Sequence, residues 1–524
     1  MAPLFFCAWR SSELFSLGAF VTAPSSFAIR PLLVAAARPG VAVWVLGLLA
    51  AWLLATLGMR PLMLPDEGRY ATVALEMMRG SAMVPTLNGL PFFHKPPLFY
   101  WLGSAAMQLF GVNEFAVRLG SMIGAWVMGM SLFFGIRRSG GSRLAVIAVS
   151  VLATSPFFYI GAQYANHDML VAGLITAAIL ALARAVERPP DVNLKWLLAG
   201  AVACGLATLA KGLIGLVLPA LVIIPWLLFH GRWRQACKLM HPFALLAFLM
   251  VAGPWFVSVQ LRFPEFFDYF FMEQHFRRFA QSGFNNVQPP WFYIIIIPVL
   301  MLPWAVWIPS ALWRAVVARN AQTGLYIWWL VVILGFFSFP NSKLAGYVLP
   351  AVAPLSALIA MELARGPERR WRWVVGGSAL LCLSIVGAIA LEGPKSSRGA
   401  AMALASQILP GDRVAMIDEY LFDVPFYTQM REPIVIVSDW ADPDLRLRDN
   451  WRKALLDAAR LNPKLGETVM QPIDRLDSLS CGARAVWFPV SLGRVQSVNK
   501  LTGVEKVYGD KNTELWRAPA RVCQ

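Results

Sequence analysis

Residues 65–101 read PDEGRYATVALEMMRGSAMVPTLNGLPFFHKPPLFYW and follow an apolar run, Val41 to Gly58, that holds no charge. A run of that length can cross a hydrocarbon core roughly 30 Å thick. The chain therefore leaves a membrane and at once presents Asp66, Glu67 and Arg69, then Lys95. Tyr70, Val73, Ala74, Met77 and Met78 form the i, i+3, i+4 stripe of an amphipathic helix, which predicts a helix lying on the membrane surface. On that reading Asp66 is its N-cap and Glu67 a first-turn acid favoured by the helix dipole. Capping and catalysis are compatible, and both stay open for Asp66.

The whole composition agrees with a membrane protein. Of 524 residues 58% are hydrophobic and 15% charged, against about 25% charged in an ordinary soluble domain; the mean hydropathy is +0.57. Charge is unevenly spread: residues 393–524 carry 18 Lys and Arg and 16 Asp and Glu, a soluble density, whereas the first 392 hold 28 and 14. Three regions follow: an N-terminal tail (1–40), an apolar transmembrane domain (41–392) and a C-terminal domain of soluble composition (393–524). The net charge of +16 does not imply a nucleic-acid partner, because the excess sits in short loops between apolar segments, where Lys and Arg mark the cytoplasmic side.

Candidate spans centre on 41–58, 115–136, 144–161, 169–183, 196–210, 212–229, 242–260, 291–313, 324–339, 344–362 and 373–391, about eleven in all and up to thirteen if the interrupted stretches, 97–110 among them, are counted. Alternate threading gathers RRSGGSR (137–143), RAVERPPDVNLK (184–195), HGRWRQACK (230–238), RAVVARN (314–320) and RGPERRWR (365–372) on one side. These five loops hold fifteen Lys and Arg, which makes that side the inner one. Arg30 and Arg38 before Val41 fit a retained anchor better than a cleaved signal peptide.

The same threading puts Asp66 to Lys95, YANHD (164–168), the Ala210-Lys211 turn, the 262–290 loop, NSK (341–343) and the C-terminal domain on the outer face. Ionisable groups at membrane depth default to function. Each also admits a structural role: Asp168 as a cap at the mouth of an uncharged span, Lys95 as a snorkelling cation, Tyr347 as a member of the interfacial aromatic belt. Lys211 sits between LATLA and GLIGLVLP in a turn too tight to favour an idle long cation.

PDEGRYATVALEMM, VPTLNGLPFFHKPPLFYW, YANHDMLVA, LAKGLIGLVLP, FFMEQHFRRFA, PPWFYIIIIPVLMLPW and NSKLAGYVLPAVAPL occur in that order between residues 65 and 355. This pattern resembles the lipid A aminoarabinose transferases and the wider protein O-mannosyltransferase superfamily, polyprenyl-phosphate-sugar glycosyltransferases of the GT-C fold. PGDRVAMIDEYLFDVPFYTQ also resembles the outer domain of the aminoarabinose transferases. The resemblance implies a mostly helical GT-C membrane domain with a C-terminal α/β periplasmic domain, in the bacterial inner membrane. It implies a catalytic Asp66, donor-phosphate binding by Arg69 and Lys95, an acid near the site at Asp168, and a tyrosine at Tyr347. It further implies an undecaprenyl-phosphate-sugar donor, a lipid A or lipopolysaccharide acceptor, and single displacement with inversion. One departure stands out: the family's Glu before the KPPL lysine is His94 here. A uronic acid or neutral hexose is therefore the alternative sugar, and a protein or other envelope polymer the alternative acceptor.

The chemistry asks for such residues. Departure of a polyprenyl phosphate raises its charge from one toward two in a poorly hydrated place, and a cation about 5 Å away is worth roughly 3 kcal/mol of raw attraction. Only the part that grows with the leaving group's charge accelerates the step. Arg69, Lys95 and Lys211 are the candidates, with Lys343, Arg277 and Arg278 behind them and Tyr347 counted in the same donor-phosphate site; Asp66, Glu67 and Asp168 are the candidate acids. His94, His167 and His275 fall on the same face but lack close ligand spacing, so no metal and no other cofactor are expected. RVAMIDE, PIVIVSDW and ARAVWFPV predict strands and NWRKALLDAARL a helix in the C-terminal domain, which is expected to cover the site or recruit acceptor. Cys481 and Cys523 share that domain, where an oxidising compartment permits a bridge. A secondary transporter would tend to show related halves with charges deep in the membrane, and a lipid-binding flippase would not need Asp66 and Asp168.

Overall fold

With no water in a hydrocarbon layer, an apolar chain must satisfy its own backbone N–H and C=O groups, which a helix does. The computed structural model, which describes residues 39–277, 286–446, 450–481 and 484–520, has seven helices long and apolar enough to cross a membrane. An eighth span is formed if Phe292–Leu300 and Trp304–Ala318, bent by 118°, are taken together, and shorter apolar helices lie at Gly40–Leu54, Leu98–Phe110 and Ile214–Phe229. Helix α4 (Glu114–Ala153) is two helices meeting at Gly141, whose φ of 80° and ψ of 173° break the run inside RRSGGSR. All eleven expected segments fall on helical elements, in a multi-pass membrane protein. Expectations for residues 1–38, the side chains of His275 and Arg277, Arg278 and Cys523 lie outside the described residues.

Two glycines set the position of α6 (His167–Ala185). A methyl group at Gly124 of α4 would overlap the Leu170 backbone, and one at Gly173 would overlap the Gly124 carbonyl, so the two backbones touch. Small residues permit such approach between membrane helices. Helix α7 (Leu194–Lys211) packs back along α6 and ends with Lys211 near the α6 N-terminus, where Gly212 at φ 89° turns the chain into α8 (Ile214–Phe229).

Helix α2 (Asp66–Arg79) departs from expectation. It is not covered on one amphipathic stripe alone: Ala71, Thr72, Val73, Ala74 and Leu75 are all buried. Five consecutive buried residues mean that more than one face is covered. On one side is α3 (Leu98–Phe110), whose Ser104 hydroxyl donates to the Ala74 carbonyl at 2.7 Å. On another is the C-terminal domain, whose Phe422 carbonyl accepts from the Thr72 hydroxyl at 2.6 Å.

The C-terminal domain carries a six-stranded sheet in the order β5-β4-β3-β6-β8-β7, after a small hairpin, β1 (Thr86–Leu87) and β2 (Leu90–Pro91), earlier in the chain. Strands β3 (Arg413–Ile417), β4 (Val435–Val437), β5 (Met470–Gln471) and β6 (Ala485–Ser491) are parallel; β7 (Glu505–Gly509) and β8 (Thr513–Pro519) complete it antiparallel. The predicted strands are β3, β4 and β6, and the predicted helix is Trp451–Leu461. Asn88 of the hairpin turn exchanges two hydrogen bonds of 2.8 Å with the Ile434 backbone. The Tyr427 hydroxyl accepts from the Leu62 N–H and donates to Glu114. At Gly68 an added Cβ would lie 2.8 Å from the Asp423 nitrogen, so only glycine lets α2 approach this close. The domain is thus seated on the segment that carries the first acidic residues.

Candidate active site

A cavity of about 700 Å³ opens where α2, the α6 and α7 ends and the C-terminal domain meet. Asp66, Arg69, Lys95, Asp168, Lys211 and Tyr347 all line it. Six of the eight residues singled out in the sequence therefore converge, from five separate stretches of chain.

Asp66 is the first residue of α2, not its N-cap. Pro65 occupies the cap position in a helical conformation with no side-chain capping bond. The Asp66 carboxylate instead receives a hydrogen bond from the Arg69 guanidinium at 2.6 Å, one helical turn on. That guanidinium lies 5.7 Å from the Tyr70 ring and 5.1 Å from the Phe422 ring, so a residue of the C-terminal domain helps to place it.

A second acid–cation couple faces the cavity. Asn166 caps α6 by accepting from the Asp168 N–H at 2.9 Å, and the Asp168 carboxylate is ion-paired with the Lys211 ammonium. That ammonium also sits 4.4 Å from the centre of the Tyr347 ring. Gly346 makes room for the couple: a methyl group there would overlap the Asp168 carboxylate.

Two expected site residues are elsewhere. Glu67 is fully buried and does not face the cavity. Its carboxylate accepts from the Arg118 guanidinium at 2.8 Å, from Arg60, and from the Met63 and Ala165 N–H groups at 2.9 and 2.8 Å. Burial alone would raise its pKa, but Arg118 and Arg60 overcome that and hold it at about 2. Glu67 is a structural clasp, not an acid of the site. Lys343 is buried as well, and its ammonium donates to the Gln288 and Pro340 carbonyls at 2.8 and 2.6 Å. It staples the 286–288 and 340–343 segments, which a Val287–Ser342 bridge also joins, and it does not face the cavity. An arginine at 118, inside an apolar run, was the sequence signal for the clasp.

His94 stacks on Phe92 with ring centres 4.3 Å apart, and His167 lies among Tyr70, Phe99 and Tyr100 at 4.7 to 4.9 Å. Among the described residues no three His, Cys, Asp or Glu side chains are arranged to hold a metal ion. The C-terminal domain was expected to cover the site or recruit acceptor, but sequence reasoning did not single out the residues it brings to the cavity, among them Glu419, Tyr420, Leu421, Phe422 and Trp451. Cys481 is disulfide-bonded.

The family model described as dolichyl-phosphate-mannose-protein mannosyltransferase matches residues 94–257. The undecaprenyl phosphate-alpha-4-amino-4-deoxy-L-arabinose arabinosyl transferase of Aeromonas salmonicida is 32% identical over 372 residues, 68% of this chain and 68% of that protein. The chain belongs to this family of arabinosyl transferases. The Erwinia tasmaniensis member is 35% identical over 318 residues, which cover 59% of this chain and 57% of that protein. In architecture the chain is similar to ArnT from Cupriavidus metallidurans solved with undecaprenyl phosphate, with a TM-score of 0.77 over 92% of this chain and 98% of that one. At 22% identity that likeness establishes the GT-C fold. In this chain the two acid–cation couples sit in a cavity that the membrane domain and the C-terminal domain share.

Proposed function

We propose that the protein transfers a sugar, an amino-deoxy pentose, from an undecaprenyl-phosphate donor to lipid A or a related lipopolysaccharide, on the periplasmic face of the bacterial inner membrane. The observation that carries this reading is the meeting of Asp66–Arg69 and Asp168–Lys211 in one cavity under the C-terminal domain, in a chain whose relatives are named for transfer of 4-amino-4-deoxy-L-arabinose from undecaprenyl phosphate. The basic loops at the far ends of the helices support a cytoplasmic inner side, which directs the cavity outward.

In this mechanism Arg69, Lys95 and Lys211 bind the donor phosphate. The acceptor oxygen forms the bond to the anomeric carbon while the bond from that carbon to the phosphate oxygen breaks, its electron pair leaving with the phosphate. Cations already in place meet the second negative charge as it develops. If the acceptor is a hydroxyl, Asp66 takes its proton; if it is a lipid A phosphate, the nucleophile is already ionised and Asp66 orients it. Tyr347 braces the Lys211 ammonium. The positive charge comes from side chains, and the reaction runs without a metal or other cofactor.

Mass spectrometry of lipid A and lipopolysaccharide core from a deletion strain against its parent tests the reading. Loss of an aminoarabinose-sized addition is expected. His94 beside Lys95 favours, as second reading, a uronic acid or neutral hexose, since a histidine is a poorer partner than a carboxylate for a cationic sugar; loss of a hexose-sized addition selects it. Unchanged envelope glycolipids would refute the lipid A acceptor.

A further inference from the structure

Three carboxylates line the cavity among the described residues: Asp66, Asp168 and Glu419. Two of them are matched by cations before any substrate enters, Asp66 by Arg69 and Asp168 by Lys211. Glu419 stands in no ion pair among the described residues; its Oε1 accepts a hydrogen bond from the Ser491 N–H at 2.8 Å. Beyond Asp66 and Asp168 the described part of the membrane side lends the cavity no acid, and His94 stands next to Lys95.

The place of Glu419 in the sheet is independent support. From β3 the chain lays β4 and β5 on one side and then returns to lay β6 on the other, so the strand order reverses between β3 and β6. In open sheets of parallel strands, ligands bind outside the carboxyl ends at such a reversal. Glu419 follows the end of β3 by two residues, and the N–H that holds it belongs to Ser491, the last residue of β6. The intervening Asp418 adopts φ 52° and is pinned by the Ser438 hydroxyl at 2.8 Å. The loop is therefore built to hold this side chain at the crevice.

We propose that Glu419 recognises the ammonium group of the donor's amino sugar, its carboxylate accepting a charge-assisted hydrogen bond; this rests on reading the cavity as a site for a polyprenyl-phosphate amino sugar. The two paired acids stay with the cations that hold the phosphate, and the C-terminal domain supplies the sugar specificity. Burial pushes the Glu419 carboxyl above its usual range, so an arriving ammonium stabilises its ionised form. A neutral hexose forgoes that contact, and a uronic acid is repelled.

The test compares binding of undecaprenyl-phosphate aminoarabinose, the same donor acetylated on nitrogen, and undecaprenyl phosphate alone, using the full chain in nanodiscs as wild type, Glu419→Gln and Glu419→Asp. The wild type should prefer the free amine by about tenfold or more. Glu419→Gln should bring that ratio close to one and Glu419→Asp should keep part of it, while all three bind undecaprenyl phosphate alike, which shows the variants folded. A Gln variant with the wild-type ratio overturns the assignment and leaves the function untouched. Loss of undecaprenyl phosphate binding in Glu419→Gln also overturns it, since the residue would then act through the fold or the phosphate. A wild type indifferent to acetylation overturns the amino-sugar reading itself.

Discussion

Glu67→Gln and Asp66→Asn each remove one negative charge, from adjacent residues, and they should fail in different assays. Glu67 is wholly buried between Arg118 and Arg60 and also accepts two backbone N–H groups. Its neutralisation leaves two buried guanidinium groups facing an amide, a change that costs about 3–5 kcal/mol where one partner of a buried pair is lost. Asp66 keeps a side-chain exposure of 37%, and among the described residues its ion-pair partner is Arg69. An ion pair that open to solvent contributes about 0–1 kcal/mol, so Asp66→Asn should purify and melt like the wild type. Its transfer rate should fall about a hundredfold or more if it acts as a base. The assay pairs size-exclusion recovery after graded heating with release of polyprenyl phosphate from labelled donor. Glu67→Gln should lose monodisperse protein several degrees earlier. Wild-type heat resistance in Glu67→Gln would refute the clasp, and a wild-type rate in Asp66→Asn would refute the site.

The clasp also predicts an acid limit. Because Glu67 titrates near 2 in the fold instead of 4.5, the folded state binds fewer protons than the unfolded one between those values, and its stability should fall as pH drops through that window; Glu67→Gln should flatten the decline. Gly346→Ala should displace the Asp168 carboxylate from Lys211 and lower transfer about tenfold or more while the protein stays folded, as measured by labelled-donor turnover with size-exclusion as control. Neutralising Arg69 or Lys95 should weaken binding of undecaprenyl phosphate; unchanged affinity in both variants would move the phosphate site to Lys211. Cysteines at Ser139 and Gly366 should react only with reagents that enter the cytoplasm, and one at Ser342 with impermeant reagents; labelling of Gly366 from outside would invert the topology.

By itself the sequence determined that this is a multi-pass membrane protein and where its apolar helices lie. Hydropathy is a property of contiguous residues, and a hydrocarbon layer reads contiguous residues. Asp66, Arg69, Lys95, Asp168, Lys211 and Tyr347 were legible as candidates for the same reason, each being a polar group at the edge of an apolar run. Only the tertiary structure decided which of the candidates come together in one cavity and which lie elsewhere. Asp168 and Lys211 are 43 positions apart, a distance across which neither spacing nor periodicity reports contact. Asp66 and Glu67 are adjacent, but each step along a helix turns the side chain by about 100°, and that rotation directs Asp66 to the cavity and Glu67 into Arg118. Lys343 is drawn to the Pro340 carbonyl and to that of Gln288, and nothing near it in sequence announces the second. Glu419 stands in an ordinary charged stretch of a domain with ordinary composition, and it reaches the cavity because the strand order reverses beside it.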